Sequence, residues 1–147
     1  MVPFSELAAS INAFVSTTIA PDLRARSSIA FQMTQMWVNV SPPGGRNAMH
    51  HHGLSYFSGA YFLDVPEGAA PLVLHDPRTM VPILMRTSGV VSEITPLTAD
   101  EIPIEAKPGD LHVFPGWLQH EVPPGTNQQP RVSVAFNYSV VNAPTTT

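Results

Sequence analysis

Three histidines stand in a row at residues 50–52, inside Asn-Ala-Met-His-His-His-Gly (47–53), and they are half of the six in the chain. Imidazole changes charge near neutral pH and is the commonest side-chain ligand for transition metals. On an extended segment, residues i and i+2 point to one face while i+1 points to the other. His50 and His52 can therefore reach one point together, with His51 turned away. Two imidazoles so placed suit a metal, which then needs further ligands from elsewhere in the fold.

The segment 108–125, Pro-Gly-Asp-Leu-His-Val-Phe-Pro-Gly-Trp-Leu-Gln-His-Glu-Val-Pro-Pro-Gly, offers one. An alternating strand ends at Phe114-Pro115, a turn follows, and His120 comes just after. With His50 and His52 it would complete a facial set that leaves coordination positions open. Eleven residues on, Arg131 starts an apolar strand, and alternation puts Arg131, Ser133 and Ala135 on one face. A guanidinium there is costly to bury unless it meets an anion. With a hydroxyl beside it, it is shaped to clamp a carboxylate in two-pronged fashion. His75 and His112 lack such company and read as structural or pocket-lining.

These residues need a scaffold. A chain of 147 residues suits one domain, expected here as a single unit over 1–147. Sixteen prolines and nine glycines cut it into short segments, the mark of a turn-rich β architecture. A single helix is expected over 1–20: Ser5 as its N-cap, Leu7, Ile11, Phe14, Val15 and Ile19 on one face, and Pro21 as its end. The core follows over 29–140. Strands are expected at 29–40, 55–65, 72–75, 100–106, 110–115 and 130–140, with 79–97 as short strands or an irregular loop. Residues 141–147 read as a flexible tail. Seven or eight short strands after one helix make a mainly β sandwich or barrel.

Composition excludes several classes. A net charge of −4 with no basic run gives no electrostatic reason to expect nucleic acid or an anionic membrane. The absence of cysteine removes disulfides, cysteine–zinc sites, iron–sulfur clusters and a thiol nucleophile, and fits a reducing compartment. No secretory leader or membrane span is recognisable, so the expected location is cytoplasmic.

The ordered set carries a resemblance. Trp37-Val38-Asn39, Gly45, Asn47, His50 to His52, Ser58-Gly59, Tyr61-Phe62-Leu63, Asp76-Pro77-Arg78, Gly109, Phe114-Pro115, Trp117, His120, Val122, Arg131, Ser133 and Phe136-Asn137 resemble the iron(II)/2-oxoglutarate-dependent oxygenase superfamily, and more closely its small bacterial and phage branch. The match runs from about residue 37 to 138. It implies a double-stranded β-helix, a jelly-roll or cupin-like barrel. It implies Fe(II) held by His50, His52 and His120, and 2-oxoglutarate with its distal carboxylate on Arg131 and Ser133, Tyr61 adding a hydroxyl. The expected partner is a small-molecule or peptide substrate whose C–H bond is oxidised. The chain is compact for the class, so a homodimer could supply missing walls.

Two departures stand out. The superfamily's second ligand is usually a carboxylate, where this chain has His52, and Gly53 replaces the proline of the branch. Three neutral ligands leave an Fe(II) site near +2 rather than +1, which attracts the dianionic co-substrate but holds iron less tightly; imidazole also suits Zn, Ni and Cu. Other readings stay open. The Gly44 to His52 and Gly109 to His120 spacings are also the half-motifs of cupins. The glutamate expected after the histidines is replaced by Tyr56 and Phe57, and a cupin has no need of Arg131 and Ser133. With His51 as first ligand, His51-x-Gly53 would mimic the carboxylate-lacking triad of 2-oxoglutarate-dependent halogenases. A non-catalytic ligand-binding barrel is the remaining alternative.

Overall fold

Eight strands, all paired antiparallel, lie between Ile29 and Asn142 in the computed structural model, which describes residues 3–78, 80–96 and 98–143. They are β1 (Ile29–Ser41), β2 (Asn47–His50), β3 (Phe57–Asp64), β4 (Leu72–His75), β5 (Glu101–Ile104), β6 (Leu111–Pro115), β7 (His120–Val122) and β8 (Arg131–Asn142). One sheet runs β1-β8-β3-β6 and the other β2-β7-β4-β5. This interleaving of distant strands makes the chain a double-stranded β-helix of jelly-roll type. Among the described residues, no helix is long and apolar enough to cross a membrane.

The N-terminal helix covers the outer face of the first sheet. Leu7, Ile11, Val15 and Ile19 recur every fourth residue, so their side chains form one stripe. Ile11 and Val15 are buried against Phe57, Phe136 and Tyr138, with Leu7 and Ile19 packed at the margin. Burying each aliphatic side chain contributes about 1.5–3 kcal/mol. Phe14, expected on the same face, is exposed, because one step along a helix turns a side chain by about 100°. The Tyr138 hydroxyl donates to Asn12 Oδ1 at 2.5 Å and ties the helix to β8. Burial pushes that phenol up to about 12.

The aromatic packing requires a glycine on β3. Gly59 lies opposite Phe136 in the ladder, and a Cβ there would come within 2.3 Å of the Phe136 ring. The second core lies between the sheets, where Leu72, Phe114 and Val122 pack together with Leu74 and Ile104.

Several boundaries differ from expectation. The first helix, α1, spans Phe4–Phe14 with Pro3 at its N-cap, so Ser5 sits inside the first turn and caps nothing. Pro21 does not end the helical run. Residues Val15–Ile19 widen into a π-helical turn, in which the Ala20 N–H reaches back to the Val15 carbonyl. Pro21 then follows that widened turn in a short α2 (Ala20–Asp22), which continues the helical run through Ile19 and Ala20, both with helical dihedrals. The stretch expected as strands or loop contains α3 (Met80–Thr87), with Thr79 and Leu97 outside the described residues. Pro82 is tolerated in the first turn, and Leu84, Met85 and Arg86 are good helix formers. Arg86 grips Asp100 with two bonds of 2.7 and 2.8 Å, holding that carboxyl down to about 2. At the far end, β8 continues to Asn142, and Ala143 N–H donates to the Ser28 carbonyl, so 141–143 are not tail. Residues 144–147 lie outside the described residues.

Candidate active site

His50 and His120 are partners across the β2–β7 ladder, so antiparallel pairing puts both imidazoles on one face. His52 follows two residues after His50, where the chain leaves the strand. One ring nitrogen from each of the three lies within 4.8 Å of the others. Among the described residues this is the only such group of histidines and acids. His51 is outside it, with its ring against Gly53, as alternation requires.

The imidazoles are oriented by the backbone. His50 Nδ1 is 2.7 Å from the Ala48 carbonyl, and His120 Nδ1 is 2.8 Å from that of Leu118. A carbonyl can only accept, so both Nδ1 atoms carry the proton and both Nε2 atoms keep a lone pair for the common point. A hydrogen bond from the non-ligating nitrogen is how metal-binding histidines are usually fixed. Burial lowers the His120 pKa to about 4, its bond to Leu118 partly opposing and the neighbouring imidazoles adding. His52 is lowered by burial first, then by His50 and His51. Both are neutral, as a ligand must be.

The junction that brings His52 to His120 rests on a close backbone approach. His52 N–H donates to the Gly116 carbonyl at 2.7 Å, and Gly116 N–H donates to the Tyr56 carbonyl at 3.0 Å. A Cβ at residue 116 would lie 2.1 Å from the Ser55 carbonyl oxygen, so only glycine fits. Phe114 packs beside the His120 ring at 4.7 Å between centroids.

These histidines border a cavity of about 420 Å³ that also takes in Arg131, Ser133 and Phe62. Arg131 is 5 % exposed, so its charge is almost wholly removed from water. Its Nη1 donates to the Ala70 carbonyl at 3.0 Å, and the guanidinium lies 5.7 Å from the Phe62 ring centroid. Its Nε is buried with no hydrogen-bond partner, and no carboxylate pairs with it among the described residues. Desolvation lowers its pKa. A buried cation on a cavity wall, with no counter-ion and with one donor unspent, is a costly arrangement unless an anion completes it. The donor set therefore fits both groups: three neutral imidazoles for a metal, and a guanidinium with a neighbouring hydroxyl for a carboxylate.

Tyr61 does not join them. Ser58, Ala60 and Phe62 line the cavity, and Tyr61 alternates with them on β3, opposite Val134 and on the helix-covered face. Its expected contact with the co-substrate is withdrawn for that geometric reason. His75 lies on the outer face of the second sheet, with Nε2 3.3 Å from Glu121 and Nδ1 3.9 Å from Glu101. His112 stacks edge-on to Phe62 with its Nε2 buried and unpartnered, outside the cavity lining. Sequence reasoning gave no role in the site to Phe62, the Ala70 carbonyl or Arg46, all at the arginine end. The first two left no signal, because what they touch is set by distant strands. Arg46, four residues before His50, was visible as a cation next to the ligand segment.

A family profile described as "Putative 2OG-Fe(II) oxygenase" matches residues 35–137. Among solved structures, a 2OG-Fe(II) oxygenase family oxidoreductase from Burkholderia pseudomallei superposes with TM-score 0.65 and 15 % identity, over 94 % of this chain and 57 % of its own. The α-ketoglutarate-dependent epimerase SnoN of nogalamycin biosynthesis gives 0.56 and 13 %, over 97 % and 63 %. EctD from S. alaskensis, solved with 2-oxoglutarate and 5-hydroxyectoine, gives 0.52 and 14 %, over 74 % and 44 %. At such identities the likeness is one of fold, and this chain spans between 44 % and 63 % of those chains' lengths. No curated protein sequence matches it significantly. The histidine cluster, the buried arginine and the profile spanning most of the strands agree: the chain belongs to the 2OG-Fe(II) oxygenase family, which works with iron(II) and 2-oxoglutarate.

Proposed function

We propose that this chain oxidises, by hydroxylation, a C–H bond of a small-molecule substrate, with His50, His52 and His120 as the iron ligands and Arg131, helped by Ser133, as the anchor for 2-oxoglutarate. The observation that carries this reading is Arg131, 5 % exposed and without a counter-ion among the described residues, on the lining of the cavity that the three imidazoles border. A metalloprotein that did not use a carboxylate co-substrate would gain nothing from that cation and would bear its desolvation cost.

When bound together, iron and 2-oxoglutarate supply the oxidising chemistry: the co-substrate and dioxygen become succinate and carbon dioxide, and one oxygen atom enters the C–H bond. The protein's own residues bind, orient and exclude. His50 and His120 hold their Nδ1 protons on backbone carbonyls, which keeps their Nε2 lone pairs aimed at one point. Arg131 fixes one end of the co-substrate, so that its other end is directed towards the histidines. Phe62, Phe114 and Leu72 line the intervening wall and exclude water, which strengthens each charged contact inside. His50 lines the cavity and is exposed, so the metal end is open to a substrate.

The test is succinate formation. Protein reconstituted with Fe(II) without air and then exposed to oxygen is expected to convert 2-oxoglutarate to succinate slowly, and much faster when the right substrate is added. Succinate no higher than a free-iron control, across a broad panel of small molecules, overturns the proposal.

A further inference from the structure

The cavity holds a second cation besides Arg131. Arg46 lines it too, is exposed, and makes no hydrogen bond or ion pair among the described residues. Its place is at the arginine end. The adjoining Gly45 borders a void of about 10 Å³ together with Ser41, Ala70, Val122 and Arg131, so the turn carrying Arg46 abuts the buried guanidinium. The histidines lie the other way along the chain: four residues of extended strand separate the Arg46 and His50 Cα atoms by up to about 13 Å.

Among the described residues, no side-chain anion separates the two arginines. The one carboxylate residue in the cavity lining is Glu121, which alternates with His120 and Val122 and meets His75 on the outer face of the sheet. Asn39 adds a donor. It faces Ser133 across the β1–β8 ladder, and its Oδ1 accepts from Trp37 Nε1 at 3.1 Å, which leaves its NH2 group to donate. One end of the cavity thus offers two guanidiniums, an amide NH2 and a hydroxyl. That is more donor capacity than one arginine gives, and it is ample for the roughly four lone-pair sites of a carboxylate.

We propose that Arg46 is a second anchoring residue for the distal carboxylate of 2-oxoglutarate, closing on it from the cavity rim, and that it makes the site select a dicarboxylate 2-oxo acid over a monocarboxylate one. This rests on the Fe(II)/2-oxoglutarate reading above. Arg131 meets the carboxylate in a desolvated setting, whereas Arg46 meets it at the rim, where salt screens the attraction.

Anaerobic titration calorimetry of the Fe(II)-loaded protein with 2-oxoglutarate and with 2-oxopentanoate, which has the same carbon chain without the distal carboxylate, tests this. For Arg46→Ala the expected result is a dissociation constant for 2-oxoglutarate raised about tenfold at low salt and much less at high salt, with 2-oxopentanoate unchanged within twofold. Arg46→Lys, which keeps the charge, should recover most of the loss. An unchanged 2-oxoglutarate affinity, or an equal loss for both acids, overturns the inference. Arg131→Ala run in parallel separates it from the underlying proposal. If Arg131→Ala weakens 2-oxoglutarate while Arg46→Ala does not, only the role of Arg46 falls. If neither does, the co-substrate reading itself falls.

Discussion

The two sheets of the barrel are built on different terms. The first has strands of 13 and 12 residues paired almost without interruption, and it buries Phe136 and Tyr138 completely beneath the N-terminal helix. The second is made of strands of three or four residues, and β2, which carries His50, is exposed along its whole length. The strong sheet holds Arg131, the proposed anion anchor, and the slight one holds the histidines. An anchor that must stay desolvated needs a rigid, buried strand. A histidine cluster can sit on a short edge because His50 and His120 are each fixed by a backbone carbonyl of their own, and because a bound metal would add stability.

Substitutions can break that comparison, and the largest effect belongs to the histidines. His50→Ala, His52→Ala and His120→Ala should each abolish stoichiometric Fe(II) binding in anaerobic equilibrium dialysis, while His51→Ala retains it. One-to-one iron in the His120 variant would remove the cluster as the metal site. At the other end, Arg131→Ala should weaken 2-oxoglutarate by about 2–5 kcal/mol, the cost of truncating one partner of a desolvated charge pair. Ser133→Ala should cost about 0.5–1.5 kcal/mol. Arg131→Met sharpens the contrast: without co-substrate it should leave the Tm unchanged or raise it, since it replaces a buried cation lacking a counter-ion.

Two glycines test the sheets separately. Gly59→Ala drives a methyl into the Phe136 ring and should destabilise folding by about 1–3 kcal/mol, with metal affinity of the folded protein unaltered. Gly116→Ala displaces the Ser55 carbonyl and with it the His52 backbone, so it should weaken metal binding as well as folding. Chemical denaturation with and without metal distinguishes them; equal metal affinity in both variants would detach the junction from the site.

The smallest effect concerns Arg86 and Asp100. The folded carboxyl titrates near 2, below its ordinary value of 3.8, so the pair stabilises the fold above about pH 4 and ceases to do so as the pH falls through 2. Both groups are at the surface, so the contribution is modest and fades with salt. Thermal melts of Asp100→Asn and the unaltered protein should differ slightly near pH 6 and converge on acidification.

Much of the site was legible because its information is local. The i, i+2 parity of His50 and His52 follows from the pleat, and it excludes His51 without any knowledge of the fold. The spacing from Gly109 through Phe114-Pro115 to His120 marks a strand, a turn and a ligand in order. The stretch around α3 misled because a few apolar residues with a proline fit a short strand as well as the first turn of a helix. Pro21 misled because a widened turn upstream removes the clash that normally ends a helix.

Tyr61 marks the boundary between the two kinds of knowledge. Its parity with Ser58, Ala60 and Phe62 was readable, but β3 buries residues on both faces, so alternation could not say which face meets the cavity. By itself the sequence determined which side chains share a face, where turns must fall, and which chemistry the cluster can perform, since these depend on backbone geometry and residue type. Only the tertiary structure decided that His120 stands opposite His50, that Arg131 loses its water with one donor unspent, and that Arg46 shares its cavity. Those facts depend on register between strands far apart in the chain, where pairing and burial are settled by the whole barrel at once.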